Sequence, residues 1–155
     1  MPSRHSRRRA LLTTNTFTQT KMPSASTVCK ILALPTAAAG AQMAAIGAGV
    51  MSADADQQQM VAFWSALAGM AIRTKLFFGF IGVGKLIGTA ALWGYLPKVL
   101  RLGQLLPMLA ATYMHAQNVP AGSSGVAYGA FIMACLVLYT MVADPADGAK
   151  KKKKT

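Results

Sequence analysis

Four apolar segments, separated by short polar stretches, dominate this 155-residue chain and limit what it can fold into. The segments cover residues 31–51, 76–96, 102–118 and 126–143. A helix needs about 20 apolar residues to cross the hydrocarbon core of a bilayer, and inside the lipid it satisfies its own backbone polar groups. The segment lengths therefore predict an all-α protein, a four-helix transmembrane bundle built from residues 31–143.

A fifth apolar stretch, residues 61–72, is too short to span a bilayer. It follows the polar sequence SADADQQQM and runs into two basic residues, Arg73 and Lys75. This length and position predict a short interfacial or re-entrant helix between the first and second spans.

The charged residues lie mainly at the two ends of the chain, outside the apolar segments. Sixteen Lys and Arg residues face four acidic ones. With the N-terminus in the cytosol, thirteen basic residues fall on the cytosolic side and two on the opposite side. This distribution follows the positive-inside rule and predicts that both termini are cytosolic. Nucleic acid is not an expected partner, because binding it would need basic and aromatic residues interleaved on one folded surface.

Lys85 is the charged residue that lies inside a predicted span, between Gly84 and Gly88. At 1.5 Å per residue it lies about 13 Å from one end of that span and about 16 Å from the other. Burying an ammonium group there costs about 2.5–3.5 kcal/mol, so Lys85 should face the bundle interior or a wet cavity. Because no carboxylate lies in any span, we expect Lys85 to be neutral or to be solvated by Thr89, backbone carbonyls and water.

The third segment carries a polar face. Its inward positions recur at spacings of four, three and four residues, which places them on one side of a helix: Gln104, Met108, Ala111 and His115. If this face meets Lys85 and Thr89, the four polar residues Lys85, Thr89, Gln104 and His115 form an intramembrane polar site. The alternative is that these side chains only hydrogen-bond one helix to another.

Small residues at four-residue spacing mark faces on which two membrane helices can approach closely. Three of the four segments contain such a pair: Gly40 and Ala44, Gly84 and Gly88, and Gly125 and Gly129. We predict that these residues pack helix against helix.

The sequence contains no recognisable motif for catalysis or cofactor binding. Its two histidines, His5 and His115, leave no second axial ligand for a bis-histidine haem. It has no phosphate-binding loop, no nucleophile elbow and no cluster of metal ligands. We therefore predict no catalytic residue, no metal and no cofactor, which favours a non-enzymatic protein.

The stretch IGVGKLIGTAALWGYLPKVLRLGQLLPMLAATYMHAQNVP combines a Gly-rich helix carrying one charge, a basic turn with Pro, and an apolar helix ending in His. Over residues 77–142 the chain resembles the DoxX-like family of small four-helix membrane proteins. The family commonly has Glu where this chain has Lys85, and a GxxK signature where this chain has Gly40 and Met43. The resemblance implies an accessory or chaperone-type subunit that acts through helix–helix contacts. Its alternative is a subunit of a quinone- or thiol-linked redox complex, in which Lys85 and His115 would hydrogen-bond a quinone.

The two ends of the chain carry candidate targeting signals. Residues 1–30 are basic and acid-free, which is typical of a targeting segment or a disordered tail. Residues 144–155 end with Lys152 and Lys153 at the fourth and third positions from the C-terminus. They resemble the dilysine retrieval signal of endoplasmic-reticulum membrane proteins, although a lysine run also attracts anionic lipid. We expect the endoplasmic reticulum, with mitochondrion or plastid next, and as partners the bilayer and other membrane proteins or further copies of this chain.

Overall fold

The computed structural model describes residues 24–143, which form helices and turns without any β-strand. The elements are α1 (Ala25–Gly47), α2 (Ala55–Ala68), α3 (Thr74–Leu92), a 3₁₀ helix (Lys98–Arg101), α4 (Leu102–Ala116) and α5 (Val126–Ala143). The predicted all-α class is confirmed. Both ends of the chain, including the candidate targeting residues Lys152 and Lys153, lie outside the described residues.

Three of these helices, α1, α3 and α5, are long and apolar enough to cross a membrane. They identify the chain as a membrane protein. Helix α4 has 15 residues, which span about 22 Å at 1.5 Å per residue, against a hydrocarbon core of about 30 Å. In residues 24–143, therefore, three of the four predicted spans meet the length requirement and the fourth does not.

Helix α1 begins six residues before the predicted span. Ser24 is its N-cap, and its Oγ accepts a hydrogen bond from the backbone N–H of Thr27 at 3.2 Å, which satisfies one amide of the first turn. Pro35 lies inside the helix and cannot donate to the carbonyl of Ile31. Residues 25–30, which the sequence placed in the basic tail, are thus part of α1.

Helix α2 begins inside the stretch that the sequence assigned to a polar loop. Asp54 and Gln57 form a capping box, in which the Asp54 carboxylate accepts from the Gln57 N–H at 2.8 Å and the Gln57 side chain accepts from the Asp54 N–H at 2.9 Å. The helix ends at Ala68, because Gly69 adopts the left-handed conformation with φ of 65°. A short helix between the first and second long helices is therefore present, and it starts six residues earlier than predicted.

Helices α1 and α3 form the most extensive interface of the described chain, and glycine allows their backbones to touch. A Cβ atom added to Gly82 would lie 2.7 Å from the carbonyl oxygen of Gly40 and would also meet the backbone of Ala44. A Cβ added to Gly40 would lie 3.0 Å from the Cβ of Lys85. The predicted face of Gly40 and Ala44 thus packs on α3, in line with small residues at membrane-helix interfaces.

Helix α3 packs on α4 through a second set of glycines. A Cβ added to Gly88 would lie 2.8 Å from the Cβ of Gln104, whereas one added to Gly84 would lie 3.5 Å from the Gly103 carbonyl oxygen, an ordinary contact. The pair Gly125 and Gly129 behaves differently. Within the part of the chain that the structure describes, no atom would lie within 4 Å of a Cβ added at either position, so this pair packs no helix there.

Two apolar clusters fill the core near opposite ends of α1. The first joins α1, α3, α4 and α5 and is formed by Cys29, Ala33, Leu92, Leu105, Met108, Met133, Ala134 and Val137. The second lies at the α2 end and is formed by Ile46, Val61 and Phe78. Cys29 is fully buried in the first cluster, and both it and Cys135 are free thiols.

The different clearances at Gly88 and Gly84 predict different tolerance to a methyl group. Gly88→Ala should lower the free energy of unfolding by about 1–3 kcal/mol, because the added carbon overlaps the Gln104 backbone and must push α3 and α4 apart. Gly84→Ala is the matched control and should change it by less than about 0.5 kcal/mol. Equilibrium unfolding in mixed micelles with increasing dodecyl sulfate measures both variants. Equal stability of the two would contradict the packing described here.

Candidate functional site

A cavity of about 100 Å³ lies between α3 and α4 and is closed on one side by α2. Its lining residues come from four helices: Met43, Met60, Trp64, Phe77, Phe78, Ile81, Lys85, Pro107, Ala110, Ala111, Met114 and His115. The cavity brings together Lys85 and His115, two of the four residues of the predicted polar site. The remaining lining side chains are apolar apart from the indole of Trp64.

Lys85 is buried, with 7% of its surface exposed. It lies 11 residues into α3, so its Cα is about 16 Å along the helix from Thr74. Among the residues that the structure describes, Lys85 makes no hydrogen bond and no ion pair. The described carboxylates belong to Asp54 and Asp56, which are exposed at the start of α2. Lys85 therefore lines the cavity without a described carboxylate beside it.

His115 lies near the end of α4 and is 8% exposed. Its Nδ1 lies 2.8 Å from the Oγ of Ser123, a residue in the loop between α4 and α5. Which of the two atoms donates depends on the tautomer of the imidazole. The hydrogen bond holds the ring in one orientation at the cavity wall.

The other two residues of the predicted polar site, Gln104 and Thr89, do not line the cavity. Gln104 is fully buried, and its Nε2 donates a hydrogen bond of 2.6 Å to the Oγ1 of Thr36 on α1. The Thr36 hydroxyl in turn donates to the Ala33 carbonyl at 2.7 Å. Gln104 thus joins α4 to α1 by a hydrogen bond. This is the arrangement expected if these polar side chains only link one helix to another. Gln104 Oε1 and Thr89 Oγ1 are buried without a hydrogen-bond partner in the described chain.

Arg101 is a buried cation that the sequence reasoning placed among the cytosolic flanking charges. It is 5% exposed; its Nη1 donates to the Thr140 carbonyl at 2.7 Å and its Nε to the Ala91 carbonyl at 3.3 Å. These carbonyls lie in the last turns of α5 and α3, where helices leave acceptors unsatisfied and favour positive charge. The short connection from α3 to Arg101 is the sequence feature that could have indicated the contact with Ala91.

Aromatic contacts hold α2 over the end of α4. The ring of Tyr113 on α4 lies 6.0 Å from the ring of Phe63 and 6.2 Å from that of Trp64, measured between centroids. Phe63 and Trp64 meet edge to face at 5.4 Å, a favourable arrangement for aromatic pairs. Because Trp64 also lines the cavity, these contacts fix the wall that α2 contributes.

The chemistry available at this cavity is hydrogen bonding and charge stabilisation. Residues 24–143 contain no group of three or more His, Cys, Asp or Glu side chains that could hold a metal ion. The volume of about 100 Å³ is well below the roughly 300–1,000 Å³ of pockets that bind small organic ligands. The cavity is therefore sized for water or a very small solute.

The chain matches no protein-family model, no curated protein and no solved structure. Its assignment as a membrane protein consequently rests on its own helices. The DoxX-like resemblance stays a prediction.

The buried position of Arg101 predicts a large effect of its removal. Arg101→Met should lower the free energy of unfolding by about 1–3 kcal/mol, since the carbonyls of Ala91 and Thr140 lose a charged donor in a buried environment. Arg73→Met, the same substitution at an exposed arginine, serves as the control and should leave stability nearly unchanged. The dodecyl sulfate titration in mixed micelles reports both variants, and a wild-type midpoint for Arg101→Met would rule out this role.

Proposed function

We propose that this chain is a four-span membrane protein that acts without catalysis, as an accessory or chaperone-type subunit binding other membrane helices. In this arrangement α4 and the 3₁₀ helix before it, residues 98–116, form the fourth membrane-embedded element. The contacts of α4 with both α3 and α5, and of α1 with both α3 and α5, support a closed four-helix arrangement. The DoxX-like resemblance is consistent with the same architecture.

The outward face of α1 is the observation that carries the proposed function. This helix has a mean hydropathy of 1.3, against 2.1 for α5. In its second half it exposes Ala38, Ala41 and Gln42 on one face, whereas its first half exposes Ile31 and Leu34. In lipid, small residues allow close helix approach and a Gln amide hydrogen-bonds across helices. The exposed face of α1 is therefore suited to another protein helix.

The outward face of α5 offers the contrast. It exposes Phe131, Ile132 and Leu138, which are bulky side chains suited to acyl chains. An interaction through helix contacts should therefore use α1, with α5 facing lipid at these positions.

Photo-crosslinking in native membranes tests this proposal. A diazirine amino acid at position 41 should crosslink to a polypeptide, either a partner or a second copy of the chain, because α1 presents small and polar groups there. The same amino acid at position 138 is the matched control and should yield lipid adducts. Gln42→Leu should reduce the polypeptide adduct from position 41 severalfold by removing the amide. Mass spectrometry identifies the products.

Lipid adducts alone at both positions would contradict the proposed function. A stoichiometric quinone or haem in the protein purified in mild detergent, seen by absorbance and mass spectrometry, would instead favour the redox alternative. Lys85 and His115 both line the cavity as that alternative requires. The volume of about 100 Å³ is small for a quinone ring, which makes the accessory role the better supported of the two.

We place this function in the endoplasmic reticulum, on the strength of Lys152 and Lys153 near the C-terminus. Retrieval reads lysines at these two positions, whereas attraction to anionic lipid falls in proportion to charge at about 1 kcal/mol per basic residue. Changing both to Ser should therefore move a fluorescently tagged chain out of the endoplasmic reticulum. Changing Lys150 and Lys151 to Ser removes the same charge and should leave it in place. Identical distributions of the two variants by microscopy would exclude retrieval.

A further inference from the structure

Lys85 is a buried residue whose ammonium group has no hydrogen-bond acceptor within the described chain. It carries three N–H donors and no lone pair, and the described chain supplies it with neither a hydrogen bond nor an ion pair. Its neighbour on the opposite wall, His115, can contribute a further donor and, when protonated, a second positive charge. A buried charge without a partner is strongly unfavourable, so a molecule in the cavity that supplies an acceptor would stabilise the charged form of Lys85.

The walls of the cavity provide almost no acceptors. No lining side chain carries an oxygen atom, and the three that can donate are Lys85, His115 and Trp64. Asp54, the N-cap of α2, is occupied by its capping box and is exposed. Most of the lining is aliphatic or aromatic, which lowers the local dielectric and strengthens the attraction between the ammonium group and any anion beside it. The lining side chains thus leave the role of acceptor open to a molecule that enters the cavity.

The volume of the cavity limits what that molecule can be. Because a water molecule occupies about 30 Å³ in the liquid, a cavity of about 100 Å³ holds a few waters, or one small anion with a water. An organic ligand of ordinary size does not fit. Among small solutes, an anion complements the positive charge of Lys85 as well as its donors.

We propose that this cavity binds one small monovalent inorganic anion, of the size of chloride, bromide or nitrate, with Lys85 as its charged ligand and His115 beside it. The site is independent of the outward face of α1, so it goes beyond the accessory function. Bound anion would neutralise the buried ammonium and fill the space between α3, α4 and α2.

Trp64 lies in the cavity wall and provides a reporter. The chain has two tryptophans, and the second, Trp93, is exposed just beyond α3, so Trp93→Phe leaves Trp64 as the single indole. Titrating the full 155-residue chain in lipid nanodiscs with sodium bromide, at constant ionic strength kept with gluconate, should quench Trp64 along a saturating curve. In the same background Lys85→Met should weaken the apparent affinity by about tenfold or more, since the anion loses its charged partner. Lys75→Met, the same substitution at an exposed lysine, should leave the curve unchanged.

A second measurement keeps the proposal testable if Lys85→Met does not fold. The wild-type chain should have a higher melting temperature in chloride than in gluconate at equal ionic strength, because a ligand that binds only the folded state stabilises it. Lys85→Arg retains the charge and should retain this difference. Linear, unsaturated bromide quenching in the wild type, together with equal melting temperatures in the two salts, would show that the cavity holds only water and would overturn the proposal. Neither result depends on whether α1 crosslinks to a partner.

Discussion

The close contact of α3 with two neighbouring helices is the constraint on which the rest of the structure depends. Gly82 leaves room for the backbone of α1 at Gly40 and Ala44, and Gly88 leaves room for the backbone of α4 at Gln104. Between membrane helices the hydrophobic effect offers little driving force, so such contacts and a few hydrogen bonds hold the helices together. Lys85 is placed between these two glycines, with its Cβ against Gly40. The depth of its ammonium group is therefore set by glycine packing, since its own side chain forms no bond within the described chain.

The two buried cations of the described chain show how surroundings decide what a positive charge does. Arg101 meets the carbonyl oxygens of Ala91 and Thr140 at the ends of α3 and α5, where helix termini supply acceptors and negative partial charge. Lys85 lies within α3, where the carbonyls already accept helical hydrogen bonds. The same kind of charge is thus satisfied by protein atoms at a helix end and left facing a cavity at mid-helix. A guanidinium group, with its fixed fork of donors, suits the first position, and a compact ammonium suits the second.

Features of the fold that depend on neighbouring residues could be predicted from the sequence, whereas features that depend on residues distant in the chain could not. Segment length and hydropathy identified α1, α3 and α5, and the single charge at Lys85 predicted an inward, buried side chain. The capping box of Asp54 and Gln57 was readable in the sequence and would have placed the start of α2 correctly. Hydrogen-bond partners distant in the chain could not be predicted from the sequence. Gln104, for example, donates a hydrogen bond to Thr36 on another helix. Gly125 and Gly129 show the same limit, because spacing marks a surface for close approach without indicating which helix occupies it.

The cavity lies beside the second half of α4, where α2 covers that helix. The helix ends at Ala116, about 22 Å from its first residue, and α2 lies over that end with Phe63 and Trp64 against Tyr113. The second apolar cluster borders this space, because Phe78 belongs to the cluster and also lines the cavity. The cavity thus lies where α2, α3 and α4 meet, next to the one lysine of α3 that is buried.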